Sequence, residues 1–369
     1  MDAWRDIPEA AAALHRRALV FDAHADTLTE LTDRGYDLDA GPPGSHLDFP
    51  RCAEGVLDAQ VFTCFVHPRH VGRDAAARVR AQLDTFDRQQ ARFPHRIARC
   101  VRRGDIAAAR ASGRLAAVLA IEGGHALEND LSVLVEFHRR GVRSLTLTWN
   151  NGNEWADGCG EPPRHGGLSA RGRQILTALE ALGWVVDISH VAPATFDAAL
   201  AQVTRPPIAS HSCARALRDH PRNLTDMQLR DLAAAGGVVG LNVYPTFLRA
   251  EGEATLEDVV AHALHLLEVA GEAHVALGCD YDGITRTPVD LPDVSALPRL
   301  TAALLQRGVP ERVVTGLLGA NLLRVFETAL PENAAAAELA ALRVMSGMFG
   351  PLRETHAARD DHAAAAGAP

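Results

Sequence analysis

Trp184-Val-Val-Asp-Ile-Ser-His190 is a short apolar run that ends in polar residues. A helical pattern follows over residues 192–203, and then a second run of the same kind, Pro207-Ile-Ala-Ser-His211. Both runs are apolar without alternation before their polar ends, as expected of strands covered on both faces of a parallel sheet. A helix between two such strands makes a βαβ unit. Each unit also delivers a histidine at the end of its strand.

Outward from this pair the pattern repeats. Upstream lie Ala18-Leu-Val-Phe-Asp22 and further runs at 57–66, 115–122 and 142–149; downstream lie runs at 237–244 and 274–280. The runs number eight. Helical patterns over 75–92, 130–140, 169–182, 225–235 and 255–270 separate most of them. Ser169 and Thr225 are placed as N-caps, and Gly183, Gly236 and Gly271 as left-handed stops. Eight strand–helix repeats predict closure into a (β/α)₈ barrel of the TIM type, of the metal-dependent hydrolase kind, as one catalytic domain over 1–352. The segment 353–369, rich in Ala, His and Asp, reads as a low-complexity tail.

The polar residues at the strand ends carry the functional argument. Asp22-Ala-His24-Ala-Asp26 ends the first run, Glu122 the third, His190 the fifth, His211 the sixth and Asp280 the eighth. A barrel gathers its C-terminal strand ends at one mouth, where active sites are assembled. A lone His or Glu at a strand end is most often a structural hydrogen-bonder, but convergence from five strands points to chemistry. His24 and Asp26, two apart on an extended segment, share a face and suit one divalent ion. His190 and His211 suit a second, and Glu122 can bridge the two with its two oxygens. Ions roughly 3.5–4 Å apart would activate a shared water. Mixed imidazole and carboxylate donors favour zinc, with manganese, cobalt or iron allowed by geometry. Asp280 is placed to move a proton from that water to a leaving amine. Asp282 reads as a loop or supporting residue, although sequence alone leaves it interchangeable with Asp280; His125 reads as a supporting or turn residue with a ligand role open, and His46, His67 and His70 as non-ligands.

The formal charge of −9 over 369 residues argues against a nucleic-acid or anionic-membrane partner. Six scattered cysteines form no C-x-x-C pair, which fits a reducing compartment. The acidic, Pro-containing start does not read as a secretory leader. No apolar run approaches the ~20 residues of a membrane span. A cytoplasmic location is expected.

At these residues the chain resembles the membrane dipeptidase (renal dipeptidase) family of zinc peptidases, from about Ala18 to Glu327. The matching segments include Phe-Asp-Ala-His-Ala-Asp at 21–26, Ala-Ile-Glu-Gly-Gly-His at 120–125 and Asp-Ile-Ser-His-Val at 187–191. Ala-Ser-His-Ser at 209–212, Gly-Cys-Asp-Tyr-Asp-Gly at 278–283 and Asn-Leu-Leu-Arg-Val-Phe at 321–326 continue the match. The resemblance implies a metal-dependent dipeptidase with two zinc ions per chain, bridged by Glu122 and a hydroxide. It implies small dipeptide substrates, L-Xaa-D-Xaa among them, with Asp280 as the proton-transferring acid, Arg222 gripping the substrate carboxylate, and assembly as a homodimer. One position departs: mammalian members carry a carbonyl-binding histidine where this chain has Trp149. The amide of Asn150 is a candidate replacement in substrate binding. The departure keeps open a related dizinc amidohydrolase acting on a non-peptide amide, ester or lactone, and an inactive metal-binding scaffold.

Overall fold

A computed structural model describes residue 4 and residues 6–349. The tail expected over 353–369, and the boundary expected at 352, lie outside the described residues.

Nine parallel strands run in chain order as β1 (Phe21–Ala25), β2 (Ala59–Phe65), β3 (Ile97–Arg99), β4 (Leu115–Glu122), β5 (Val142–Thr146), β6 (Val185–Asp187), β7 (Ile208–Ser212), β8 (Val238–Leu241) and β9 (Val275–Leu277). Eight close a ring in the order β2-β1-β9-β8-β7-β6-β5-β4. The ring shuts where β4 meets β2 again, in unbroken register from Ala59↔Ala116 to Phe65↔Glu122. The fold is the expected (β/α)₈ barrel. The ninth strand, β3, was not expected. It pairs with the foot of β4, Ile97↔Leu115 to Arg99↔Ala117, and flanks the ring. Three residues between two helices are too few to show a period.

All six expected helices are present, their limits shifted by up to three residues, the first of them at Ala75–Arg92 as predicted. Ser169 Oγ accepts from Gly172 N, and Thr225 forms a reciprocal capping box with Gln228. Gly183 and Gly236, both at φ 74°, are left-handed stops. Gly271 is not: its φ of 91° comes with a ψ of 162°, so it leaves the helix extended.

The barrel floor is filled by a helix after the last strand, Asn321–Ala329. Phe326 reaches up to Phe21, ring centroids 5.5 Å apart, among Val61, Val118, Ile208 and Val238. A ring truncated in such a core typically costs about 3–5 kcal/mol. Glycines set the bore: a Cβ on Gly240 or Gly278 would overlap the carbonyl oxygen of Ser210 on β7. With the floor packed, the mouth at the strand C-termini is free to hold a site.

Candidate active site

Sequence reading places six polar residues at this mouth, and the structure brings all six together. His24, Glu122 and His211 lie on β1, β4 and β7 themselves. Asp26, His190 and Asp280 lie just beyond their strands. For Asp26 this corrects the expected extended pair with His24. The strand stops at Ala25, and Asp26 (φ −90°, ψ 21°) already caps helix Thr27–Arg34. The chain turns there, yet Asp26 Oδ2 still comes 3.9 Å from His24 Nε2. His190 and Asp280 adopt left-handed backbone, φ 67° and 65°. Such conformations cost about 1–3 kcal/mol for a residue with a Cβ and concentrate at functional sites.

Glu122 sits at the centre with its oxygens divided. Oε1 is 2.8 Å from His190 Nε2 and 3.5 Å from His211 Nε2, while Oε2 is 3.6 Å from His24 Nε2. Two groups of donor atoms, each within 4.8 Å of one another, share Glu122: His24 with Asp26, and His190 with His211. Every member is buried.

Hydrogen-bond partners determine which ring nitrogens carry lone pairs. His190 Nδ1 lies 2.8 Å from Asn150 Oδ1, an acceptor, so Nδ1 carries the proton. His211 Nδ1 lies 2.7 Å from Ser210 Oγ. That hydroxyl already donates to Asp187 Oδ2 at 2.6 Å, so it must accept from the histidine. Both Nε2 atoms therefore present lone pairs, and they face each other at 2.9 Å. Two lone pairs at that distance repel unless a cation joins them. His24 Nε2 and Asp26 Oδ1 are buried without a hydrogen-bond partner, a second sign that the cluster is built around cations.

The electrostatics agree. Burial alone would depress the pKa of His24, but Glu122, Asp26 and Asp280 outweigh it and push it up to about 10. A field that holds a proton there so firmly will also attract a metal ion. Burial, followed by the nearby Arg222, pulls His190 down to about 4, and burial with His24 lowers His211. Neutral imidazoles are what metal ligation requires. Zinc, which takes nitrogen and carboxylate oxygen together, fits this donor set.

Asp280 is held by a residue that sequence reading missed. Asn242 Nδ2 donates to Asp280 Oδ2 at 3.0 Å, while Asp280 Oδ1 stands 3.9 Å from His24 Nε2. Burial, and then the charge of Glu122, push the Asp280 carboxyl up to about 6. Asn242 directly follows β8, and a polar residue at that strand end was the available signal. Asp187 and Ser210 gave less warning, because short polar residues inside strands are common. Asp282 and His46 brace each other instead of entering the cluster: His46 N donates to Asp282 Oδ1 at 2.8 Å and Asp282 N to His46 Nδ1 at 2.9 Å. His125 turns its Nε2 to the carbonyl of Val66 at 2.8 Å, outside both donor groups.

The cluster opens into a cavity of about 610 Å³ lined also by Phe65, His67, Trp149, Asn150, Arg222 and Tyr244. His67, read as a non-ligand, is part of this wall. Arg222 is 5% exposed, and its Nη2 donates to His211 O at 3.1 Å. Its Nε has no partner, and among the described residues no carboxylate pairs with it. Its guanidinium carbon lies 5.5 Å from the Phe247 ring centroid. Asn150 lines the cavity, but its carbonyl is committed to His190. Trp149 stacks on the His190 ring, centroids 5.9 Å apart at 28°.

Known proteins similar to this chain are dipeptidases and metallo peptidases. The family model for membrane dipeptidases (peptidase family M19) matches residues 8–339. An uncharacterized dipeptidase of Schizosaccharomyces pombe is 36% identical over 304 residues, 77% of this chain and 72% of that one. Dipeptidase aclJ of Aspergillus oryzae is 36% identical over 294 residues, 76% of this chain and 69% of its own. Among solved structures, a metallo peptidase from Rhodobacter sphaeroides, liganded with a phosphinate mimic of the dipeptide L-Ala-D-Ala, superposes with a TM-score of 0.79 at 29% identity. That match covers 85% of this chain and 99% of the other.

Proposed function

The chain belongs to the membrane dipeptidase family, peptidase family M19, and we propose that it hydrolyses dipeptides, L-Xaa-D-Xaa among them, with two zinc ions. His24 and Asp26 would hold one ion, His190 and His211 the other, and Glu122 would give one oxygen to each. When bound, such a pair polarises the scissile carbonyl and lowers the pKa of water toward neutrality.

The remaining work falls to side chains. Asp280 accepts the proton of the attacking water at Oδ1 and passes it to the departing amine, while Asn242 keeps Oδ2 in place. A carboxylate placed beside the cluster and held by Asn242 can both take and return that proton. Arg222 holds the C-terminal carboxylate, and Asn150 serves the site by orienting His190.

The observation that carries the dipeptide reading is Arg222. A buried guanidinium without a carboxylate is costly, and an anionic ligand in the adjoining cavity would relieve that cost. Its fork suits a free carboxylate bidentately. The dipeptide mimic on the Rhodobacter sphaeroides relative supports a D-residue at the second position.

The test uses zinc-loaded enzyme on L-Ala-L-Ala, L-Ala-D-Ala and the C-terminal amide of each. The free acids should be cleaved and the amides disfavoured, on the order of 100-fold in kcat/KM. Arg222→Met should erase that preference. Failure to cleave any free dipeptide would sink the proposal. Trp149, in place of the mammalian histidine, favours a second reading, an amidohydrolase of a non-peptide amide, ester or lactone. Turnover of such compounds far above dipeptides would select it.

A further inference from the structure

One wall of the cavity is not accounted for by metal, proton transfer or carboxylate binding. Phe65 at the end of β2, His67 just beyond it and Trp149 beyond β5 form an aromatic group on the rim. The Trp149 ring centroid lies 5.6 Å from that of Phe65 and 6.2 Å from that of His67, and the Phe65 and His67 rings meet edge to face. All three line the cavity. Phe65 and Trp149 are only partly buried, and His67 is exposed. They leave aromatic surface open beside a donor cluster that is itself buried.

Topology places this wall relative to the guanidinium. From β2, three strands lie between it and β7 in either direction round the ring, β1-β9-β8 one way and β4-β5-β6 the other. Phe65 and His67 therefore stand diametrically across the mouth from His211, whose carbonyl oxygen accepts from Arg222. Glu122 and the facing histidine nitrogens lie between. A dipeptide whose carboxylate is at Arg222 and whose scissile carbonyl is at the cluster must direct its N-terminal residue toward the aromatic wall.

We propose that Phe65, His67 and Trp149 form the binding surface for the N-terminal side chain, and that the preferred substrates are dipeptides with an aromatic or large apolar first residue. This rests on the dipeptidase reading above and adds the substrate class. Trp149 is then a specificity residue: where mammalian members offer a polar imidazole, this chain offers a large face for stacking. Rings that water only partly covers gain by packing against another apolar group, and none of the three side chains is an arginine or lysine that would call for an acidic partner.

The test measures kcat/KM of zinc-loaded enzyme on L-Phe-L-Ala, L-Leu-L-Ala, Gly-L-Ala and L-Asp-L-Ala. The Phe and Leu substrates should exceed Gly-L-Ala by on the order of 10- to 100-fold, and L-Asp-L-Ala should fall below both. In Trp149→Ala and Phe65→Ala, read separately so that one misfolded variant does not end the test, the Phe-to-Gly ratio should drop at least several-fold toward one. A flat profile in the wild type, or an unchanged ratio in both folded variants, would overturn the aromatic subsite and leave the dipeptidase reading standing. Failure to cleave all four substrates would overturn that reading, and this one with it.

Discussion

Replacing Asn150 with Leu removes the acceptor that fixes His190. In the wild type the 2.8 Å contact from His190 Nδ1 to Asn150 Oδ1 leaves the Nε2 lone pair directed at Glu122 and His211. Leucine keeps the approximate volume but leaves a buried N–H without a partner, which costs about 1–3 kcal/mol. The imidazole can escape that cost by moving its proton to Nε2, the atom needed for a metal. Either way the ion proposed for His190 and His211 should bind roughly 10- to 100-fold more weakly, the usual loss when an outer hydrogen-bond partner of a metal-bound histidine is removed. The ion held by His24 and Asp26 should be weakened much less, because their contacts do not pass through Asn150. Competition against a graded chelator, with zinc per chain read by elemental analysis, separates the two steps. Asn150→Asp, which restores an acceptor, should recover the lost step. Equal weakening of both steps, or no change in either, would refute the assignment of Asn150 as the group orienting His190.

Three further outcomes follow from the same geometry. Asp280→Asn should lower kcat by about 10²- to 10⁴-fold while zinc per chain stays at the wild-type value, since the loss is of proton transfer and not of an ion; steady-state kinetics with metal analysis checks both. Gly283→Ala should abolish activity in a protein that still folds, because a Cβ there would overlap Asp26 Oδ2 and sit 2.6 Å from Asp280 Oδ1; circular dichroism beside an activity assay reads this. Buried His15, bonded to Thr301 and to the carbonyl of Gly55, has its pKa pulled down to about 4 by burial. Its unfolded value is higher, so the unfolded chain takes up the proton first as pH falls. The stability is complete above about pH 6.5 and is lost toward pH 4, about 3 kcal/mol in all. Urea unfolding from pH 4 to 7 should show that slope, and His15→Gln should flatten part of it.

Burial and strand position are local properties, and they were legible in the residues. Apolar runs with polar ends marked the eight barrel strands and placed His24, Glu122, His190, His211 and Asp280 at one mouth. Capping residues such as Ser169 and Thr225 marked helix starts because their hydrogen bonds reach only three residues along the chain. Partners across the barrel were not legible in the same way. That Asn150 holds His190, that Ser210 and Asp187 orient His211, and that Asn242 holds Asp280 depends on inter-strand register and on the closure of β4 against β2. The same closure sets Phe65 across the mouth from the strand that anchors Arg222. Sequence periodicity reports which way a side chain faces relative to its own strand; what it touches is decided by strands brought beside it from far along the chain.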